Sequence, residues 1–211
     1  MKTQNYLEQV RSWPNTGRHI LAQFDETSIY VYQAYRPSIA EYAVANQRFG
    51  GEFSYSRMSW IKPNFLWMMY RAGWATKEGQ ERILAIRLRR IFFDELLRSS
   101  VRSSRDPERF DSEESWRLAV AESDVRLQWD PDHDPSGRAL ERRAVQIGIR
   151  GEMLRRYGER EVLSITDITD FVATQRRHVE DDVSLLEVPS ESVYVPEAIA
   201  ARTVGIDHAR V

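Results

Sequence analysis

Cysteine is absent from the 211 residues. Its absence excludes disulfides, thiolate zinc sites and a cysteine nucleophile, and it fits a reducing compartment. Histidine is scarce: His19, His133, His178 and His208 are scattered, so no paired-histidine zinc spacing exists. No stretch approaches the ~18 apolar residues of a membrane span. The opening residues, MKTQNYLEQV, carry no apolar signal core. The expectation is a soluble, cytoplasmic protein with no membrane partner. Phosphate loops ending in Gly-Lys-Ser/Thr are missing, as is G-x-G-x-x-G. So is the G-x-S-x-G elbow. Without a helix-turn-helix or zinc finger, duplex DNA is not an expected partner.

What remains is an ordinary globular composition. Hydrophobic residues make up 42% and charged residues 29%, enough apolar content for a core without covalent staples. The length suits one domain. We read 1–17 as a turn-rich lead-in, 18–184 as a single domain, and 185–211 as a C-terminal extension packed on the body and frayed at its end. The net charge of −2 conceals an asymmetry. Residues 57–109 hold twelve basic and six acidic residues, whereas 110–211 hold thirteen basic and twenty-one acidic. The middle of the chain is therefore the part suited to face an anion. The competing reading is that Arg82, Arg87, Arg89 and Arg90 are solvated surface charges.

HILAQF (19–24) and SIYVYQAY (28–35) are rich in β-branched and aromatic residues and flank DETS, the pattern of a hairpin. RPSIAEYAVANQ follows at once, with Ser38 placed to cap a helix. FSYSRMSW (53–60) alternates like a strand. Pro63 suits a helix's first turn, and NFLWMMYRAGW is apolar nearly all round, so that helix should be buried. RILAIRL predicts a strand, FFDELLRSSV a helix, RSSRDPERFDSEES a loop and SWRLAVAE a short helix. VRLQWDPDHDPSG predicts a strand entering a Pro- and Asp-rich turn. RRAVQIGIRG fits strand or helix; its Val and Ile beside two glycines favour a strand. EMLRRYG and TDITDFVATQRRHV predict helices, the second capped by Thr166 or Asp167, and the chain beyond Leu185 is expected to run extended. The expected fold is α+β: one domain with a mixed or antiparallel sheet and flanking helices, lacking the regular alternation of a doubly wound sheet.

VYQAYRPSIAEYAV, FSYSRMSWIKPNFLWMMYRAGWATKEGQERILAI, QWDPDHDPSGRALERRAVQIGIRG and ITDITDFV are distinctive together. This set resembles a bacterial and fungal family catalogued as domain of unknown function 4291. The resemblance spans about Arg18 to Tyr194, and SRMSWIKPNFLWMMYRAGWA is its most specific part. It implies no activity, so the chemistry has to come from the residues.

Arg57, Lys62 and Arg71 lie in an apolar segment and cannot be core without partners. On a strand, Ser54, Ser56, Met58 and Trp60 share one face and Tyr55, Arg57 and Ser59 the other. Hydroxyls in a row suit a sugar or phosphate, and Arg57 offers a planar fork for phosphate or carboxylate. Lys62 stands at a helix entrance beside unpaired N–H groups, a ready anion site. The alternative is an exposed Lys62 and an Arg57 paired with a nearby acid. Trp60, Trp67 and Trp74 recur at seven-residue spacing. The plain reading is a core stripe; the functional one is an indole stacked on a base or nicotinamide ring. Met68 and Met69 are expected to fill gaps. Gln33, Tyr35 and Arg36 fall at a strand's carboxyl end, where clefts often form; a buried Gln33 bonded to the backbone is the alternative.

QWDPDHDP places Gln128 beside Asp130, Asp132, His133 and Asp134. Such carboxylates suit a hard cation, but the glycine and closing Glu of a calcium loop are missing, so a rigid turn without metal is expected. Asp130, at a strand end, and His133 are the candidates for moving a proton. Downstream, Arg142, Ala144, Gln146, Gly148 and Arg150 share a strand face, with Arg143 in the same basic run. That face is a polar floor for an anion or a set of salt bridges.

The order VYQAY, helix, FSYSRMSW, helix, RILAIRL resembles the NAD-cleaving half of ADP-ribosyltransferase-like folds. The analogy implies NAD as cofactor. Gln33 stands where it expects Arg or His, and Gln128 and Asp130 stand at the stage where it expects a catalytic Glu; both are departures. Three readings stay open. The first is a nucleotide-handling transferase acting on NAD or an RNA end. In it Arg57, Lys62 and Arg150 grip phosphates, Tyr35 or Trp60 stacks on a ring, Ser54 and Ser56 hold a ribose, and Asp130 or His133 moves a proton. The second is a non-catalytic binding module for RNA, single-stranded DNA or a nucleotide. The third is an interaction protein with solvated cations. The nucleotide readings require Gln33, Arg57, Lys62, Asp130 and Arg150 to converge on one cleft.

Overall fold

The computed structural model describes residues 1–207, and His208 lies outside them. The chain opens with β1 (Thr3–Asn5), α1 (Tyr6–Gln9), β2 (Gly17–Arg18), β3 (Ile20–Ala22), β4 (Ser28–Tyr35) and α2 (Pro37–Asn46). It continues through β5 (Ser59–Ile61), α3 (Phe65–Ala72), β6 (Arg82–Arg89), α4 (Arg90–Ser99), β7 (Val101–Arg102) and α5 (Glu113–Glu122). Then come β8 (Val125–His133), β9 (Ala139–Ile149), α6 (Gly151–Arg156), β10 (Val162–Asp167) and α7 (Thr169–Asp181). The last described elements are β11 (Glu187–Pro189), β12 (Ser192–Tyr194) and α8 (Ala198–Val204).

The fold is α+β. β10, β6 and β4 form an antiparallel sheet in that order. A mixed sheet runs β2-β9-β8-β7, and β5 adds to β9 antiparallel. Two ribbons, β1 with β11 and β3 with β12, tie the N-terminal segment to residues 187–194.

Side-chain pattern explains why β4 and β6 read apolar at both parities. Ile29 and Val31 join Leu84, Ile86 and Leu88 in one core, with Phe92 and Phe93 of α4 and the inner face of the mixed sheet. Tyr32 joins Ile83 and Ala85 in a second core with Phe65 and Met69 of α3. A strand covered on both faces needs apolar residues on both. β8 and β9 meet a core on one face only. Leu127, Val145, Ile147 and Ile149 point inward, while Gln128, Asp130 and Gln146 alternate outward and are half-buried. The two sheets touch where Tyr32 and Lys62 exchange backbone hydrogen bonds of 2.7 and 3.2 Å. That bridge sets the end of β5 against β4.

Several local expectations are corrected. Ser38 does not cap α2; Pro37 takes the first helical position and Arg36 the cap. Only Ser59–Ile61 of the 53–60 stretch and its continuation pairs as a strand, and the residues before it turn. Pro63 precedes the cap of α3, which is Asn64: its side chain accepts from the Trp67 amide at 2.7 Å. α3 stops at Ala72 because Gly73 adopts a left-handed φ of 57°, so Trp74 leaves the helix and shares no face with Trp67. The hairpin shrinks to a Phe24–Ile29 bridge, since β3 pairs with β12 instead. β10 and α8 arise where no element was expected. Among the described residues no helix is long and apolar enough to cross a membrane.

Candidate functional site

A cleft of about 540 Å³ opens where the carboxyl end of β4, the start of α2 and the segment leading into β5 meet. Gln33, Tyr35, Arg36, Ser54, Arg57, Trp60 and Lys62 all line it. Met58, Phe53 and Met68 supply apolar wall.

The floor is a closed hydrogen-bond network. Gln33 Nε2 donates to Ser59 Oγ at 2.8 Å and to the Trp60 carbonyl at 3.2 Å. Gln33 Oε1 accepts from the Tyr157 hydroxyl at 2.7 Å. The hydroxyls of Tyr35 and Ser59 lie 2.9 Å apart. Burial pushes the phenols of Tyr35 and Tyr157 above their ordinary range, so both are neutral. Both amide hydrogens of Gln33 are thus engaged inside the protein.

Lys62 is the cation at the centre. It is 5% exposed, and burial, then Arg71, draws its pKa down to about 8 against the opposing pull of Asp130. Among the described residues neither the Lys62 ammonium nor the Arg57 guanidinium makes an ion pair or hydrogen bond. Arg57 is exposed. Arg36 behaves differently, forming an exposed 2.7 Å pair with Glu52 on the rim. Trp60 and Lys62 are two residues apart on extended backbone and face the same side. On that side the Asp130 carboxylate accepts from Gln128 Nε2 at 2.8 Å and Gln146 Nε2 at 2.7 Å. Trp60 also lies over Gly148: a Cβ there would come 2.9 Å from its ring and 2.7 Å from Met58 Sδ.

Other predicted residues lie elsewhere. Arg150 holds the loop before β8, donating to the carbonyls of Ser123 at 3.0 Å and Ala121. Its separation from the cleft breaks the expected convergence, and Asp130, Gln128 and Gln146 do not line the cleft either. Arg143 is exposed and stands beside Arg18 in register. Arg71 is exposed on α3 and reaches Lys62 through charge. Ser56 does not line the cleft; its hydroxyl lies 3.0 Å from that of Ser54. His133 stacks on Tyr70, centroids 3.5 Å apart, with Nδ1 buried and unpartnered; burial lowers its pKa.

The Asp-rich turn consumes its own carboxylates. Asp132 pairs with buried Arg142 at 2.6 Å, and Asp134 accepts from Ser136 and Arg138. Among the described residues no group of three His, Asp or Glu side chains is arranged to hold a metal. The helix N-terminus beside Lys62 is also filled from within: Glu191 Oε1 accepts from the Phe65 amide at 2.7 Å. Ser59, Tyr157 and Glu191 are the contributors that sequence reasoning missed. Ser59 had a signal, its parity with Arg57; the other two had none in their local context.

No curated protein matches the chain with significance. The family model described as Domain of unknown function (DUF4291) matches residues 19–194, a span that contains every residue lining the cleft, and the chain belongs to that family.

Proposed function

We propose that the cleft binds a phosphate-bearing ligand, a nucleotide such as NAD or the end of an RNA strand, and that the protein is a transferase acting on it. Lys62 carries this reading. A largely desolvated ammonium that makes no ion pair or hydrogen bond among the described residues is costly, and an anion in the cleft provides that partner. Arg57, unpaired among the described residues, adds a planar fork on the same cleft for further phosphate oxygens. The volume of about 540 Å³ falls within the ~300–1,000 Å³ of ligand sites. Trp60 and Tyr35 offer ring faces for a base. Asp130, oriented by Gln128 and Gln146 outside the cleft lining, is the acceptor for a ribose hydroxyl or a proton of a ligand that extends past Lys62. Gln33, with its amide engaged, shapes the floor and carries no proton.

A second reading uses the same residues without turnover, as a non-catalytic binding module for a nucleotide, RNA or single-stranded DNA. The proton-transfer candidates favour it: His133 stacks on Tyr70, and neither it nor Asp130 lines the cleft. Calorimetric titration with NAD, ATP and a 5′-phosphorylated short RNA, with chromatography of the ligand afterwards, tests both. Binding with consumption supports the transferase, and binding without it supports the module. No binding up to millimolar concentration overturns both readings. A steep loss of affinity with salt points to RNA.

A further inference from the structure

The chain carries twenty-seven arginines and three lysines, Lys2, Lys62 and Lys77. Where charge alone is needed, this sequence overwhelmingly uses arginine. Lysine offers something a guanidinium does not: an amine that sheds its proton and then presents a nucleophilic lone pair. Lys2 and Lys77 are exposed, and the Lys77 ammonium donates to the Arg71 carbonyl at 2.7 Å. Lys62 is the buried one, lines the cleft and is unpartnered among the described residues.

Its surroundings favour the free amine. Met58, Trp60 and Met68 line the cleft with it. Of the titratable and charged groups around it, Arg71 on α3 opposes the ammonium, Asp130 on β8 favours it, and Tyr35 on β4 is neutral; Arg57 and the Arg36–Glu52 pair share the cleft with it. Desolvation beside a second cation is a known route to an activated lysine. With a pKa near 8, about a tenth of the Lys62 amine is unprotonated at neutral pH, against less than about a thousandth for an ordinary lysine.

We propose that Lys62 is the nucleophile of the cleft and condenses with the aldehyde or ketone of a phosphate-bearing ligand, such as the open form of a sugar phosphate. The ligand class rests on the cleft reading above; the reactivity of the amine does not. The nitrogen lone pair adds to the carbonyl carbon, and the C=O π pair moves to oxygen. Proton transfer from nitrogen to oxygen gives a carbinolamine. Loss of water then leaves a C=N bond, which hydrolysis reverses. The step consumes no oxidant, reductant or metal.

The full chain is incubated at pH 7.5 with pyridoxal 5′-phosphate and, in parallel, with pyridoxal. Borohydride traps the imines, and peptide mass mapping locates them. Lys62 is expected to react at least ten-fold faster than Lys2 or Lys77, and several-fold faster with the phosphorylated aldehyde. Lys62→Arg, which keeps the charge, should abolish only the cleft adduct. Labelling of Lys62 no faster than Lys77 overturns the proposal. A calorimetric titration with ADP separates the two failures. ADP binding without selective Lys62 labelling overturns the nucleophile and spares the cleft reading. Lys62 labelled equally by both aldehydes, with no ADP binding, overturns the phosphate ligand and spares the reactive amine.

Discussion

Glu191 sets its buried carboxylate on the N-terminus of α3, accepting the Phe65 backbone amide at 2.7 Å and the Asn64 side-chain amide at 3.1 Å. Burial raises its pKa well above the usual carboxylate range, while those bonds pull the other way. The free N–H groups of a helix start attract an anion. Here the protein supplies the acceptor itself, a buried carboxyl group from 126 residues away. The helix terminus is thereby closed from within, and Lys62 and Arg57 are left as cations facing the cleft.

Glu191→Ala should destabilise the fold by about 2–4 kcal/mol, because it strands the Phe65 and Asn64 donors without water. Glu191→Gln should cost less: it keeps an acceptor for Phe65 but turns an amino group toward Asn64. Urea denaturation measures both. A loss below about 0.5 kcal/mol for the alanine variant would mean that the carboxylate does not cap α3.

Lys62→Met should stabilise the protein at pH 7 while abolishing ligand binding. The folded-state pKa of about 8 lies below the unfolded 10.5, so between those values the unfolded chain binds more protons. Wild-type stability attributable to Lys62 is thus lowest below pH 8 and recovers as pH rises toward 10.5. The deficit at pH 7 is on the order of 3 kcal/mol. The difference between the melting temperatures of the two proteins should be largest at pH 7, shrink to about a quarter by pH 10, and level off only above 10.5. A constant difference across that range would place the Lys62 charge in solvent.

The strands of the two cores were legible because residue type alone marks them: Ser28–Tyr35 and Arg82–Arg89 carry apolar side chains at both parities. The grouping of Arg57, Trp60 and Lys62 was legible too, since near neighbours on one segment reach one cleft. Arg150 misled for a local reason. Alternation puts it on the face of Gln146, but β9 ends at Ile149, and Arg150 becomes the extended cap of α6, aimed at Ser123. Gly73 likewise removed Trp74 from the helix. Glu191 was illegible because its partners are distant in the chain, and a lone Glu in PSESVYV carries no sign of burial.

Tyr157→Phe should cost about 1–2 kcal/mol, because Gln33 Oε1 loses the hydroxyl that donates to it in a buried site. Tyr157 does not line the cleft, yet Gln33 links it to Ser59 and the Trp60 carbonyl. Affinity for a nucleotide should therefore fall several-fold with no contact removed. Unchanged affinity in a folded variant would show that the floor does not position the cleft.

Gly148→Ala tests how Trp60 is held. The Gly148 backbone is not left-handed, so an alanine there meets no conformational penalty beyond contact. Its Cβ would come 2.7 Å from Met58 Sδ and 2.9 Å from the Trp60 ring. Methionine is flexible and yields cheaply. The indole lies across the β9 backbone and has to lift bodily, so we expect a cost of about 1–3 kcal/mol. In a Trp60→Leu background that cost should fall by at least about 1 kcal/mol, since contacting residues couple. Two substitutions that add within about 0.5 kcal/mol would mean that the glycine serves something other than the ring.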